Sequence, residues 1–271
     1  MPELPEVEIV CRNLNVILKP PFMIRSWLFF RPDLRFKIPK KELEKLKNLE
    51  IKSISRRAKF ILFESELGFF ISHLGMTGSW RSEAKDWSRR KHDHVAFEFK
   101  AGQFLIYEDA RRFGFIEFIN KEKIEARFLA YGAEPLAETL DLAKLTKVFR
   151  ALNSSVKTAL MNQKYLVGVG NIYASEILFR AGVSPLKKCS RVSVMQYKTI
   201  WKYTTEILRN AIEKGGSTIE NYRNSFGQTG NYQSEFFVYG RAKELCKVCE
   251  TKIKSGVQAG RTTFWCPHCQ K

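Results

Sequence analysis

No apolar run in this chain is long enough to cross a bilayer. The longest uncharged stretch near its middle, Leu67 to Trp80, has 14 residues and includes Ser72, His73, Thr77 and three glycines, where a membrane helix needs about 20 apolar residues. No basic, apolar leader is expected from the amino end either. The chain opens Met1-Pro2-Glu3 with Glu6 and Glu8 close behind, opposite in charge to a secretory or transit peptide. A cytosolic protein is therefore expected, nucleoid-associated if the source is bacterial. There is no internal repeat. A composition of 44% hydrophobic and 13% aromatic residues excludes a disordered or collagen-like chain. Acidic residues are scarce: 28 Asp and Glu stand against 46 Lys and Arg, a net charge of +18. Such an excess repels itself in the folded state unless a polyanion neutralises it, which makes nucleic acid the first expected partner and an anionic membrane surface the second.

The 271 residues suffice for one large or two modest domains. Leu4, Val7, Cys11, Leu14 and Leu18 recur at spacings of 3 and 4, the stripe of an amphipathic helix. From about 22 to 120 the period becomes two, as in Ile51–Ile54, Phe60–Phe63, Phe69–Ile71, Val95–Phe99, Phe104–Tyr107 and Phe113–Phe118. Short strands with Gly-containing turns predict a sandwich or barrel. After Gly132-Ala-Glu-Pro135 helices are expected over Leu140–Leu152, Val156–Gln163, Asn171–Arg180 and Ser193–Glu213, the last stopped by Gly215-Gly216. Asn221–Glu235, rich in Asn, Gln, Ser and Gly, reads as a loop. The expected domains are 1–132, 133–235 and 236–271.

Six cysteines are present, four of them as Cys246-x2-Cys249 and, after sixteen intervening residues, Cys266-x2-Cys269. That spacing places four thiolates on two knuckles around one tetrahedral zinc ion. All four ligand positions are filled, so a structural Zn2+ is expected, holding together a segment too small to fold on its own core. His268 lies between two ligands and is expected to face solvent. Seven basic against two acidic residues give the segment +5. This charge favours phosphate contact; the competing reading is a solvated basic face. Cys11 and Cys189 stand alone and read as buried thiols.

The amino end carries a reactive pattern. Pro2 is small enough to permit removal of Met1, which would expose a secondary amine. A generic α-amino group has a pKa of about 7.7–8.0 against about 10.4 for Lys, so near pH 7 it offers far more free base. Its adduct with a sugar C1′ is an iminium, cationic without gaining a proton. Glu3 and Glu6 share a helix face beside Pro2, placed to shuttle protons and stabilise a cation. The competing reading is two acids favoured by a helix dipole.

The opening Pro2-Glu-Leu-Pro-Glu-Val-Glu8 resembles the signature of the formamidopyrimidine-DNA glycosylases, bacterial base-excision enzymes related to endonuclease VIII. Arg56-Arg-Ala-Lys59-Phe, His73-Leu-Gly-Met76, Lys91-His-Asp-His94, Asp109-Ala-Arg111-Arg-Phe113-Gly, Gly168-Val-Gly-Asn171-Ile-Tyr-Ala and Gly260-Arg261 continue the resemblance, in family order, to the last cysteine pair. It implies an α+β multidomain fold: an N-terminal β-sandwich with a flanking helix, a helical domain with a helix-two-turns-helix motif, and a C-terminal β-hairpin zinc finger. It implies that Pro2 is the nucleophile, Glu3 the main acid/base and Glu6 a supporting carboxylate. Lys59, His92, Asn171 and Arg261, with Lys157 as a fifth, would bind phosphates flanking a lesion in double-stranded DNA. Met76, Arg111 and Phe113 would fill the gap left by an extruded nucleotide, an apolar wedge and a donor offsetting lost stacking and pairing. The implied reaction removes an oxidised base through a Schiff base and then cleaves the strand by β,δ-elimination. A monomer suffices for it, with no redox cofactor or catalytic metal.

One departure concerns the turn bearing Arg111: the family commonly has Asp-Pro there, and this chain has Asp109-Ala110. Asn224–Glu235 looks like the lesion-capping loop of the purine-specific branch, favouring 8-oxoguanine and formamidopyrimidines. An endonuclease VIII-like enzyme for oxidised pyrimidines and a non-catalytic damaged-DNA-binding protein remain the alternatives.

Overall fold

The apolar stripe near the amino end becomes the buried face of α1 (Leu4–Leu18). Pro5 fits its first turn, where a missing N–H is no loss. The structure is a computed structural model that describes residues 1–217 and 230–271. It divides into two compact units, Met1–Ala130 with Gly215–Asn231, and Tyr131–Lys214 with Tyr232–Lys271.

In the first unit α1 is followed by β1 (Phe22–Met23), β2 (Ser26–Phe29), α2 (Lys40–Glu44), β3 (Glu50–Arg57), β4 (Phe60–Ser65), β5 (Gly68–His73), β6 (Gly78–Ala84), β7 (Asp93–Lys100), β8 (Gln103–Asp109), β9 (Phe115–Asn120) and α3 (Ile124–Phe128). Two antiparallel sheets form, ordered β1-β3-β4-β5-β9 and β2-β7-β8-β6. They form a β-sandwich joined by aromatic rings. Phe63 and Phe70, paired across β4 and β5, stack at 4.3 Å. Phe97 meets Phe63 edge-on at 6.4 Å, and Trp80 meets Phe70 at 5.9 Å. Each such pair contributes about 0.5–1.5 kcal/mol beyond its burial. Trp80 donates its indole N–H to Ser72 Oγ at 3.0 Å, so the core leaves that donor satisfied. Helix α1 joins this core through Val7, Val10, Leu14 and Leu18, and Asn15 Nδ2 donates to Ile54 O of β3 at 3.0 Å.

Alternation did not single out β2 or β6. In β6 the only buried large apolar residue is Trp80 among polar neighbours, so its signal is a single residue. The strand expected from Phe113 starts at Phe115, because the Gly114 amide is taken by the Asp109 carboxylate at 2.8 Å instead of by a ladder.

The second unit contains α4 (Leu142–Arg150), α5 (Val156–Leu160), α6 (Asn171–Arg180), α7 (Val194–Glu213) and the hairpin β10 (Lys254–Gln258) and β11 (Arg261–Trp265). The Asp141 side chain accepts from Lys144 N and so sets the start of α4, two residues later than expected. Helix α5 stops at Leu160, short of Gln163, whose side chain instead braces the turn into α6: it donates to Met161 O and Val169 O and accepts from Gly168 N. Helix α6 has the expected bounds. A Ser193/Gln196 capping box opens α7, and Gly215 and Gly216 follow it at φ +80° and +77°, a left-handed exit that glycine permits. Of the expected loop, residues 221–229 lie outside the described residues; Tyr232–Glu235 forms a short 3-10 turn in which Tyr232 is buried. No described helix is long and apolar enough to cross a membrane.

Candidate active site

The first turn of α1 joins both expected carboxylates. Glu3 is its N-cap: its side chain accepts from the Glu6 amide, while Glu6 Oε2 accepts from Glu3 N at 2.9 Å. Glu6 Oε1 also accepts from the Ser217 amide and hydroxyl at 2.8 and 2.9 Å. Gly216 lies so close that an added Cβ would stand 3.2 Å from that oxygen. Both acids are only 2% exposed, and Pro2 beside them is buried. The competing reading of two helix-start acids is thus realised as hydrogen bonding, in a setting drier than a helix end requires.

Lys59, at the β3–β4 turn, is also buried. Ala58 before it has φ +54°, and Arg56 braces that turn by donating to Ala58 O and pairing with Glu8 of α1 at 2.8 Å. Burial alone would raise the Glu8 carboxyl, but Arg12 and Arg56 outweigh it and hold it below the usual carboxylate range. Burial pushes the Cys11 thiol up to about 12, which suits an inert core cysteine; Cys189 is fully buried.

Met76, Arg111 and Phe113 line one cleft of about 690 Å³ together with Met1, Arg35 and His73. Met76 and Phe113 are 36% and 44% exposed, unlike core residues of their type, and the Arg111 guanidinium lies 4.7 Å over the Phe113 ring. The turns that carry them touch backbone to backbone: a Cβ on Gly75 would lie 2.3 Å from Gly114 N. The buried Asp109 carboxylate fixes the second turn. It accepts from the amides of Arg111 (3.2 Å) and Gly114 (2.8 Å) and from the Thr77 hydroxyl. This clamp restrains the turn with alanine at position 110. Asp109→Asn turns one acceptor oxygen into a donor facing these donors, and stability is expected to fall by about 1–3 kcal/mol. A urea unfolding midpoint within error of the native one would contradict the clamp.

Sequence reasoning quoted His73 in a motif without giving it a site role. Its Nδ1 accepts from Gly75 N at 3.0 Å, which leaves the neutral ring's proton on Nε2 as a donor. Burial first, then the charges of Lys59, Arg35 and Arg127, lower its pKa to about 4. A depressed histidine leaves stability intact above its unfolded pKa of about 6.5, and stability is lost as pH falls from there toward 4, by up to about 3 kcal/mol. Denaturant midpoints between pH 7.5 and 4.5 are expected to converge for the native chain and a His73→Gln variant as pH falls; parallel curves would contradict this. The expected His92 is exposed.

In the second unit Lys157 is 1% exposed. Its Nζ donates to Asn171 Oδ1 at 2.6 Å and Thr263 Oγ1 at 2.8 Å, and Asn171 Nδ2 donates to Thr262 O at 2.9 Å. The ammonium therefore ties α5, the first residue of α6 and β11 together. Arg261, beside Thr262, is exposed and follows Ala259 and Gly260 at φ +49° and +71°. Sequence reasoning also missed Glu176. Its buried carboxylate accepts from the amides of Phe237, Val238 and Tyr239 at 2.8–3.0 Å and anchors the chain entering the cysteine module. No local pattern marks an acid whose partners lie more than sixty residues away.

The sulfurs of Cys246, Cys249, Cys266 and Cys269 all lie within 4.8 Å of one another, with Cys246–Cys269 and Cys249–Cys266 at 3.9 and 3.4 Å. A Zn–S bond of about 2.3 Å implies tetrahedral edges of about 3.8 Å, so the four thiols fit one structural zinc. His268 is exposed and outside the cluster.

The chain matches the family models of the formamidopyrimidine-DNA glycosylase N-terminal domain over residues 1–116 and of the corresponding H2TH domain over 131–223. The zinc finger found in FPG and IleRS matches over 243–271. It is 41% identical to the formamidopyrimidine-DNA glycosylase of Bdellovibrio bacteriovorus over 271 residues, 100% of each chain. Among solved structures, a Lactococcus lactis FPG mutant in complex with a Fapy-dG containing DNA is similar with a TM-score of 0.93 and 35% identity over 100% of each chain. The Lactococcus lactis Fpg with an abasic site containing DNA gives 0.91 and 36% over 99% of each. The sandwich, the helical module and the four-thiol finger thus define a base-excision repair glycosylase. The chain belongs to the formamidopyrimidine-DNA glycosylase family, whose members are glycosylase/AP lyases.

Proposed function

We propose that the protein removes oxidised purines, 8-oxoguanine and formamidopyrimidines, from double-stranded DNA as a monomer and then cleaves the strand. The observation that carries this reading is the amino-terminal turn, where Pro2 adjoins two buried carboxylates hydrogen-bonded to each other's backbone. With Met1 removed, the Pro2 amine attacks C1′, the base departs with a proton supplied through Glu3, and an iminium remains. Glu6 holds the turn in place and offsets the cation. Successive β- and δ-eliminations break the C3′–O and C5′–O bonds, leaving phosphates at both ends of the gap. Low exposure favours both steps, since charges interact more strongly away from water.

Lys59, His92, Asn171 and Arg261 take the flanking phosphates. Lys157 serves that set by holding Asn171 and the hairpin, since its ammonium already faces internal acceptors. The N-terminus of α6 at Asn171 adds a favourable dipole for an anion. Met76, Arg111 and Phe113 occupy the space of the extruded nucleotide, Arg111 facing the orphaned base. The functional divisions are 1–132 for catalysis, 133–235 for helix-two-turns-helix binding and lesion capping, and 236–271 for the finger, in a protein working at the chromosome.

Single-turnover excision from duplexes bearing 8-oxoguanine opposite cytosine, compared with thymine glycol, tests the substrate class. Preference for 8-oxoguanine by at least about tenfold, about 1.4 kcal/mol of barrier, is expected. The reverse order would assign the endonuclease VIII-like pocket, and no excision of either would assign a non-catalytic binder.

A further inference from the structure

A groove of about 570 Å³ lies between α4 and α7 in the second unit, and none of the roles above uses it. Its apolar part is made by Leu142, Val194 and the Trp201 indole. Leu142 and Val194 are 44% and 46% exposed, large apolar side chains at the mouth of a cavity. The polar atoms beneath are satisfied internally: Trp201 Nε1 donates to Thr146 Oγ1 at 2.8 Å, and that hydroxyl donates to Leu142 O at 2.7 Å. The floor therefore recognises apolar shape and makes no polar demand.

The rim is different. Lys147, Arg150 and Lys198 border the same groove, all exposed, and among the described residues no acidic side chain lines it. None of the three forms an ion pair among the described residues. A volume of this size lies within the range of about 300–1,000 Å³ typical of ligand sites. We propose that this groove docks an acidic peptide segment of a partner protein, with one large apolar side chain seated against Trp201 and carboxylates facing Lys147, Arg150 and Lys198. Charge complementarity selects the acidic flanks, and the apolar floor selects a peptide over a nucleic acid. A duplex would meet the cations and leave Leu142, Val194 and the indole uncovered. Rim cations steer encounter, while the buried anchor sets residence time.

The test uses the zinc-loaded full chain and a fluorescein-labelled ten-residue peptide of Asp and Ser with one central Phe, read by anisotropy. Saturable binding with a Kd in the micromolar range is expected, weakened at least fivefold when the peptide's Phe is replaced by Ala. The charge reversal Lys147→Glu with Lys198→Glu is expected to weaken it at least tenfold while affinity for lesion duplex changes less than twofold. No saturable binding below 1 mM, equal binding of the Ala peptide, or equal binding to the charge-reversed chain each overturns the proposal. If undamaged duplex displaces the peptide and the variant loses duplex affinity by the same factor, the groove is a nucleic-acid surface and the proposal also falls. Because no readout involves base excision, the result is independent of the catalytic reading.

Discussion

Replacing Pro2 with glycine is expected to abolish the borohydride-trapped covalent adduct on lesion duplex and to slow excision by at least about 10³-fold, or about 4 kcal/mol of barrier. A glycine amine is still a nucleophile, so the loss comes from two other properties. Proline is a secondary amine, whose adduct is an iminium with no N–H to lose, and its ring fixes the nitrogen against the buried turn of Glu3 and Glu6. Glycine loosens both. The variant changes no residue of the sandwich core, so its urea midpoint should match the native one and its binding to an abasic-site analogue should persist. Trapping is the decisive readout because borohydride reduces only the covalent species. A Pro2→Gly chain that traps as fast as the native one would show that neither the secondary amine nor its ring is needed. Mass spectrometry showing Met1 retained on active material would remove the nucleophile assignment, since an amide nitrogen cannot form the iminium.

The second large effect concerns the metal. Four-thiol sites of this kind bind zinc with about 10–16 kcal/mol of apparent free energy near neutral pH, as much as the usual stability of a whole domain. Around the cysteines the apolar cluster is small: Phe179, Val238, Ile253 and the thiols themselves, with Phe237 and Phe264 packed half-buried against it. With Cys246→Ser, or after chelation, the finger is expected to unfold and release one zinc per chain. The hairpin that presents Arg261 goes with it, along with Thr262 and Thr263, which bind Asn171 and Lys157. Affinity for lesion duplex should drop by at least about 100-fold, about 2.7 kcal/mol. The aromatic near-ultraviolet circular dichroism of the sandwich should persist, because Phe63, Phe70, Trp80 and Phe97 pack within the first unit. Retained affinity in the metal-free chain, or collapse of the sandwich signal with the metal, would contradict this division of labour.

Much of the architecture was legible because its signals are short in range. Helix α6 has the expected bounds, and α1 starts where its stripe starts. The cysteine knuckles needed only their spacing, since each pair is held by its own turn and one ion closes the set. Elements set by distant partners read poorly. Strand β6 carries a single large apolar residue and exists because β8 pairs with it. The 109–114 turn lacks the proline expected of it, and its restraint comes from Asp109 and from Thr77, 32 residues away. Lys157 is expected from the resemblance as a fifth phosphate contact; its buried bond to Thr263, 106 residues on, makes it a brace for the hairpin.

The linear order of residues alone determined the metal ligands, the succession of strands, helices and finger, and the pairing of a potential secondary amine with two nearby acids. These depend on local spacing, which dictates geometry within each turn, and for the metal on one ion that joins two such turns. Only the tertiary structure decided how dry those acids are, what holds Arg111 and Phe113 in place, and that α4 and α7 leave an apolar groove rimmed by exposed cations. Desolvation, clamping and groove shape arise from residues tens to hundreds of positions apart, and the chain has to fold before they meet.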